Sequence, residues 1–92
     1  VMSSKYQACF YRTHVGAEID VVLERGGKPE IAIEIKRSTA PSPERGFALA
    51  CDDLQIAQRY VVYPGSERFA LRHGAQALGL QELMALLGKG NE

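Results

Sequence analysis

The sequence has no excess of charge of either sign, no long apolar run and no closely spaced cysteines, and each absence argues against a class of function. Lysine plus arginine number 11 and aspartate plus glutamate number 11, so the formal net charge is zero. A protein whose whole surface holds nucleic acid needs clustered cations to release counterions, and only a local basic patch is compatible with this balance. No apolar stretch approaches the roughly 18 residues of a membrane span. Cys9 and Cys51 lie far apart, with no Cys-x-x-Cys and no histidine at zinc spacing. They read as two buried thiols in a reducing compartment. The N-terminus lacks a basic stretch followed by an apolar run, which argues against secretion, so the expected location is cytoplasmic. Ser3, Ser4 and Ser42 have no histidine at usable spacing for a hydrolase triad. Neither Gly26-Gly27 nor Gly88-x-Gly90 forms a phosphate loop.

What is present fits one small domain of 92 residues, 46% of them hydrophobic. A chain of this length buries a modest share of its surface and has marginal stability. It opens Val1-Met2-Ser3-Ser4 and passes almost at once into strand-like sequence, which reads as a piece of a longer protein.

Tyr6–Thr13 is rich in aromatic and polar β-formers and predicts a first strand. After the turn His14-Val15-Gly16, Glu18–Glu24 alternates, with Ile19, Val21 and Leu23 on one face and Glu18, Asp20 and Glu24 on the other. Arg25–Pro29 is a loop carrying two glycines. Glu30–Arg37 alternates again, Ile31, Ile33 and Ile35 against Ala32, Glu34 and Lys36. Ser42 at the N-cap and Pro43 at the first helical position predict a helix reaching about Leu54. Its core stripe is Phe47, Ala50, Cys51 and Leu54. Gln58–Tyr63 reads as a strand buried on both faces and Arg68–Arg72 as another, with Gln76–Leu80 an optional short addition not counted in the strand order. A last helix, Gln81–Leu87, turns Leu80, Leu83, Met84 and Leu87 to the core and places Gly88 at C′. The order is β-β-β-α-β-β plus a helix, an α/β fold with a mixed sheet. The first three strands are antiparallel, and the helix crossover makes the third and fourth parallel.

The second and third strands carry the chemistry. With Arg25–Pro29 as the loop, Glu24 opposes Glu30, Val22 opposes Ala32, Asp20 opposes Glu34 and Glu18 opposes Lys36, all on one face. Opposed carboxylates roughly 4.5–5.5 Å apart at Cβ repel unless a positive charge sits between them. A divalent cation is one answer and Lys36 is the other. Hard oxygen ligands such as Asp20 and Glu34 suit Mg²⁺ or Mn²⁺, with the Ile35 carbonyl completing the shell. Lys36 then orients or activates a water, or meets a scissile phosphate. The plainer alternative is a solvated hairpin face with an ordinary Glu18–Lys36 ion pair.

Other residues read more simply. His14 and His73 sit in turns. Arg12, Arg37, Arg45 and Arg59 either rim the site against a nucleic-acid backbone or are scattered surface charges. Tyr6, Tyr11, Tyr60 and Tyr63 fall in strands and read as packing, not as base-stacking platforms.

The run Phe10-Tyr11-Arg12-Thr13, then Gly16-Ala17-Glu18-Ile19-Asp20-Val21-Val22-Leu23-Glu24 and Ile31-Ala32-Ile33-Glu34-Ile35-Lys36-Arg37-Ser38, resembles the PD-(D/E)XK, or restriction-endonuclease-like, superfamily. More narrowly, with Tyr60-Val61-Val62-Tyr63-Pro64-Gly65, it is similar to the domain of unknown function that follows an AAA+ ATPase module in prokaryotic ATP-binding proteins. The likeness covers nearly the whole chain. It implies a restriction-endonuclease-like sheet, Asp20 and Glu34 as metal-binding acids and Lys36 as the catalytic lysine. Two departures stand out. Ile19 replaces the proline before the acid, and Val1–Lys5 offers no counterpart for the helix that precedes the first strand in that superfamily.

Two functions follow as expectations. One is a Mg²⁺- or Mn²⁺-dependent nuclease hydrolysing nucleic-acid phosphodiesters through Asp20, Glu34 and Lys36. The other is a non-catalytic DNA- or protein-binding accessory module attached to an N-terminal ATPase domain. Association into oligomers is compatible with either.

Overall fold

Gly26 and Gly27 set the frame of the sheet. Both take positive φ, 61° and 81°, a region that side chains disfavour, and so permit a two-residue turn between antiparallel strands. In the computed structural model, which describes residues 6–13 and 16–89, this turn joins β2 (Glu18–Arg25) to β3 (Lys28–Ile35). The hairpin is therefore tighter than the expected Arg25–Pro29 loop. Arg25 opposes Lys28 and Glu24 opposes Pro29, not Glu30. A bulge beside Leu23 and Glu24 absorbs the difference, and Val22 still opposes Ala32 as expected.

The remaining elements are β1 (Tyr6–Arg12), α1 (Arg45–Leu54), β4 (Gln58–Val62), β5 (Phe69–Ala70), β6 (Ala75–Leu78) and α2 (Leu80–Lys89). Among the described residues they form one mixed six-stranded sheet of order β1-β2-β3-β4-β6-β5. The β1–β2 and β2–β3 pairs are antiparallel, and the β3–β4 pair flanking α1 is parallel, both as expected. β4 and β6 are also parallel, and β5 closes the far edge antiparallel to β6. None of the described helices is long and apolar enough to cross a membrane.

The alternation of β3 divides the core. Ala32 packs with Ala17, Ile19, Val22, Phe47, Ala50, Cys51 and Ile56 beneath α1. Ile31 and Ile33 face the other way, with Leu23, Val62, Leu78, Leu83 and Leu87 beneath α2. Each helix thus buries one stripe against one face of the sheet.

Several local expectations give way to this packing. Ile19 shares the α1 face with Val22, whereas Val21 and Leu23 pack on the α2 face. Strict alternation fails because β1–β2 slips register. Cys9 opposes Val22 and Tyr11 opposes Ile19, which leaves two residues of β2, Asp20 and Val21, against one of β1. Helix α1 starts at Arg45, two residues after Pro43. Glu44 is extended at the cap position, with no side-chain cap bond; its carboxylate pairs with Lys36 and its main-chain N–H donates to Glu34. Arg68–Arg72 yields only the two-residue β5, since Arg72–Gly74 turns as a 3-10 helix with His73 at φ 60°. The next strand is Ala75–Leu78, and Leu80 already belongs to α2. Gly88 lies inside that helix, not at C′. Leu80 is 60% and Met84 38% exposed, so only Leu83 and Leu87 of the expected stripe are buried. Cys9 is exposed and Cys51 buried, both as free thiols, so one of the two expected buried cysteines faces solvent. The expectations on Val1–Lys5 and on His14 lie outside the described residues.

Arg59, read as a rim or surface arginine, instead ties three segments. Its guanidinium donates to the Ile56 carbonyl at 2.7 Å, the His73 carbonyl at 2.9 Å and Asp52 Oδ1 at 2.9 Å.

Candidate active site

The C-terminal end of β3 opens into a cleft of about 390 Å³. Its walls include Asp20 from β2, Glu34, Ile35 and Lys36 from the end of β3, and Glu44 from the approach to α1. Asp20, Glu34 and Lys36, singled out from the sequence, therefore share one cavity. The route to that arrangement differs from the expected one. The recorded β2–β3 ladder ends at Val21–Ile33, and one step further the Asp20 side chain takes over. Its Oδ2 accepts the main-chain N–H of Ile35 at 2.9 Å. The bulge at Asp20–Val21 aims the carboxylate at this end of the strand, a common use of bulges beside reactive sites.

Glu34 is the one buried charged residue among those described, 7% exposed. Its Oε1 accepts the Glu44 main-chain N–H at 3.2 Å, and its Oε2 lies 3.4 Å from Lys36 Nζ. Burial pushes the Glu34 carboxyl above the ordinary carboxylate range, opposed by the Glu44 N–H and the Lys36 charge. Lys36 follows β3, fixed by its own N–H to the Val62 carbonyl at 2.8 Å. Its ammonium also pairs with Glu44 Oε1. The hydrogen bond to Glu44 holds the Lys36 pKa above that of a free lysine, with partial burial opposing and Glu34 adding. The same bond, with the charge of Lys36, lowers Glu44.

The expected Glu18–Lys36 ion pair does not form. Glu18 Oε2 meets Arg12 Nη2 at 3.1 Å, and Lys36 turns instead to Glu34 and Glu44. Glu18 also lines the cleft, and Arg12 reaches it only through this pair.

Glu44 is the participant that sequence reasoning missed as a site residue, because Ser42-Pro43-Glu44 also reads as a helix start. The available signal was an acid arriving shortly after the Glu-x-Lys end of a strand. Gly46 brings it there. A Cβ on Gly46 would lie 2.2 Å from the Gly16 carbonyl oxygen, so backbone meets backbone and the start of α1 lies against the β1–β2 connection.

The donor set suits one kind of ion. Among the described residues no three His, Cys, Asp or Glu side chains converge to hold a metal unaided, which argues against a closed zinc or calcium cage. Two carboxylates suit Mg²⁺ or Mn²⁺, which retain waters and accept substrate phosphate. In an extended strand the N–H and C=O of a residue point to the same edge. The Ile35 N–H points to Asp20, so the Ile35 carbonyl lies on that side too. The residues present fit such an ion.

A family profile described as "Domain of unknown function (DUF4143)" matches residues 2–83. The chain belongs to this family. Asp20, Glu34, Lys36 and Glu44 all lie within the part that the DUF4143 profile matches. The chain is similar to Uncharacterized protein Mb2031c of Mycobacterium bovis and Uncharacterized protein Rv2008c of Mycobacterium tuberculosis. It is 38% identical to each over 87 residues, covering 85% of this chain and 20% of the relative. This DUF4143 chain thus spans about a fifth of the length of the curated relatives it matches. No solved structure matches it.

Proposed function

We propose that the chain is a divalent-metal-dependent nuclease domain that hydrolyses nucleic-acid phosphodiesters, of PD-(D/E)XK type. The observation carrying this reading is the convergence of Asp20, Glu34 and Lys36 on one cleft. Asp20 and Glu34, with the Ile35 carbonyl, would hold Mg²⁺ or Mn²⁺. The ion, when bound, lowers the pKa of a coordinated water and offsets charge developing on the phosphate. Lys36 remains an ammonium under the influence of Glu44 and Glu34. It therefore acts as a hydrogen-bond donor to the water or the phosphate oxygen, not as the base that takes the proton. In the parent protein, the domain would follow an AAA+ ATPase module.

One observation favours a second reading, a non-catalytic accessory module whose DNA or protein contacts lie outside the cleft. Lys36 is already paired with two carboxylates, and a cleft richer in acids than in amines repels a phosphate chain unless a cation intervenes.

An assay of the intact protein on DNA and RNA with Mn²⁺ separates the two. Cleavage by the wild type that falls at least about 100-fold in Lys36→Ala and Asp20→Ala supports the nuclease. No cleavage by the wild type, or cleavage undiminished in both variants, rejects it.

A further inference from the structure

We propose that Glu44 is a positioning residue, whose carboxylate fixes the Lys36 ammonium beside Glu34 on the wall of the cleft. The catalytic consequence rests on the nuclease reading; the positioning itself does not.

Glu44 touches both members of the pair by different atoms. Its main-chain N–H donates to Glu34 Oε1 at 3.2 Å, and its side-chain Oε1 accepts from Lys36 Nζ. Lys36 Nζ reaches the other Glu34 oxygen at 3.4 Å. The three residues close a ring in which each of the two Glu34 oxygens has one partner. Glu44 sits at the cap position of α1 yet makes no side-chain bond to the helix; its carboxylate faces Lys36 instead. The main chain beneath it is fixed by the approach of Gly46 to Gly16.

Lysine carries four rotatable side-chain bonds and its ammonium has no preferred direction. One end of this side chain is set by β4 through the Lys36 N–H bond to Val62. Glu34 alone leaves the other end with a single partner at 3.4 Å. Glu44 supplies the second, and two partners on different elements select one orientation. Without Glu44 the ammonium is free to sample the cleft, including the Asp20 side, where it would compete with a bound cation. Misplacement of a catalytic group by about an ångström is enough to slow a reaction.

The test uses Glu44→Ala and Glu44→Asp in the intact protein. The first readout is the ¹³C order parameter of the Lys36 Cε methylene. It is expected to fall in Glu44→Ala toward that of a freely rotating lysine and to recover largely in Glu44→Asp. The second readout is Mn²⁺-dependent DNA cleavage. Here Glu44→Ala is expected to lower kcat about tenfold with KM within about twofold, and Glu44→Asp to restore most of the rate. An unchanged Lys36 order parameter in Glu44→Ala overturns the proposal, as does a rise in KM at constant kcat. Lys36→Ala and Asp20→Ala serve as references: if both cleave like the wild type, the nuclease reading fails while the order parameter still decides whether Glu44 positions Lys36.

Discussion

Asp20 Oδ2 holds the main-chain N–H of Ile35 at 2.9 Å, one step beyond the last recorded β2–β3 pair. One carboxylate thus has two separable tasks: closing the end of a ladder and offering charge to the cleft. Asparagine retains an oxygen that can accept the Ile35 N–H but carries no charge. Asp20→Asn is expected to leave unfolding stability within about 0.5 kcal/mol of wild type while abolishing Mn²⁺ binding, whereas Asp20→Ala also loses about 1 kcal/mol. Urea titration and calorimetry with Mn²⁺ read the two effects separately.

Glu34 gives a pH signature of unusual sign for a carboxylate. Burial raises its pKa in the native state above the 4.5 of the free group. Across that interval the native state holds the proton more firmly than the unfolded chain, so its contribution to stability falls as pH rises. Below the unfolded value no penalty remains. Glu34→Gln is therefore expected to melt higher than wild type at neutral pH, the gap opening as pH rises above about 4.5 and then levelling off. Melting curves recorded from pH 4 to 8 check this, and a gap that closes with rising pH refutes it.

Gly46 tolerates no side chain. A Cβ there would meet the Gly16 carbonyl oxygen at 2.2 Å. Gly46→Ala is expected to cost about 1–3 kcal/mol through overpacking, despite the better helix propensity of alanine. A urea midpoint equal to or above that of wild type would contradict this account of the contact.

The two thiols differ in accessibility. Cys9 lies on the exposed edge strand and Cys51 on the buried face of α1, where burial pushes its pKa up to about 11. A thiol reagent such as dithionitrobenzoate is expected to label Cys9 in the native protein and Cys51 only after unfolding. Its rate at Cys9 should be below that of a free thiol, because partial burial and then Glu24 raise that pKa too. Prompt labelling of both would mean that the α1 face opens readily.

Much of the architecture was legible because it depends on periodicity. The alternation of Ile31, Ile33 and Ile35 against Ala32, Glu34 and Lys36 gave β3, and the helical crossover gave its parallel pairing with β4. The shared face of Glu34 and Lys36 was legible for the same reason, whereas Asp20, expected there by alternation, reaches the cleft beside a bulge. What escaped was set by irregularity and by close backbone contact. The bulge at Asp20–Val21 leaves no mark in residue type, yet it sends Ile19 to the α1 face. At the start of α1 the Glu44 N–H donates to Glu34, ten residues earlier, and local cap chemistry at Ser42 carries no trace of that. The place of Glu44 at the cleft rests on Gly46 meeting Gly16, a tertiary contact between two glycines that are individually unremarkable in sequence.

The three bonds made by Arg59 have a mechanical consequence. They rivet the start of β4 to the last turn of α1 and to the 3-10 turn before β6, while the cleft lies where β3 and β4 finish. One end of the sheet is fastened by a partly buried fork, and the other opens on the cleft. Breathing of the domain is thus directed toward the cleft, and amide protons near Lys36 are expected to exchange with solvent before those near Arg59.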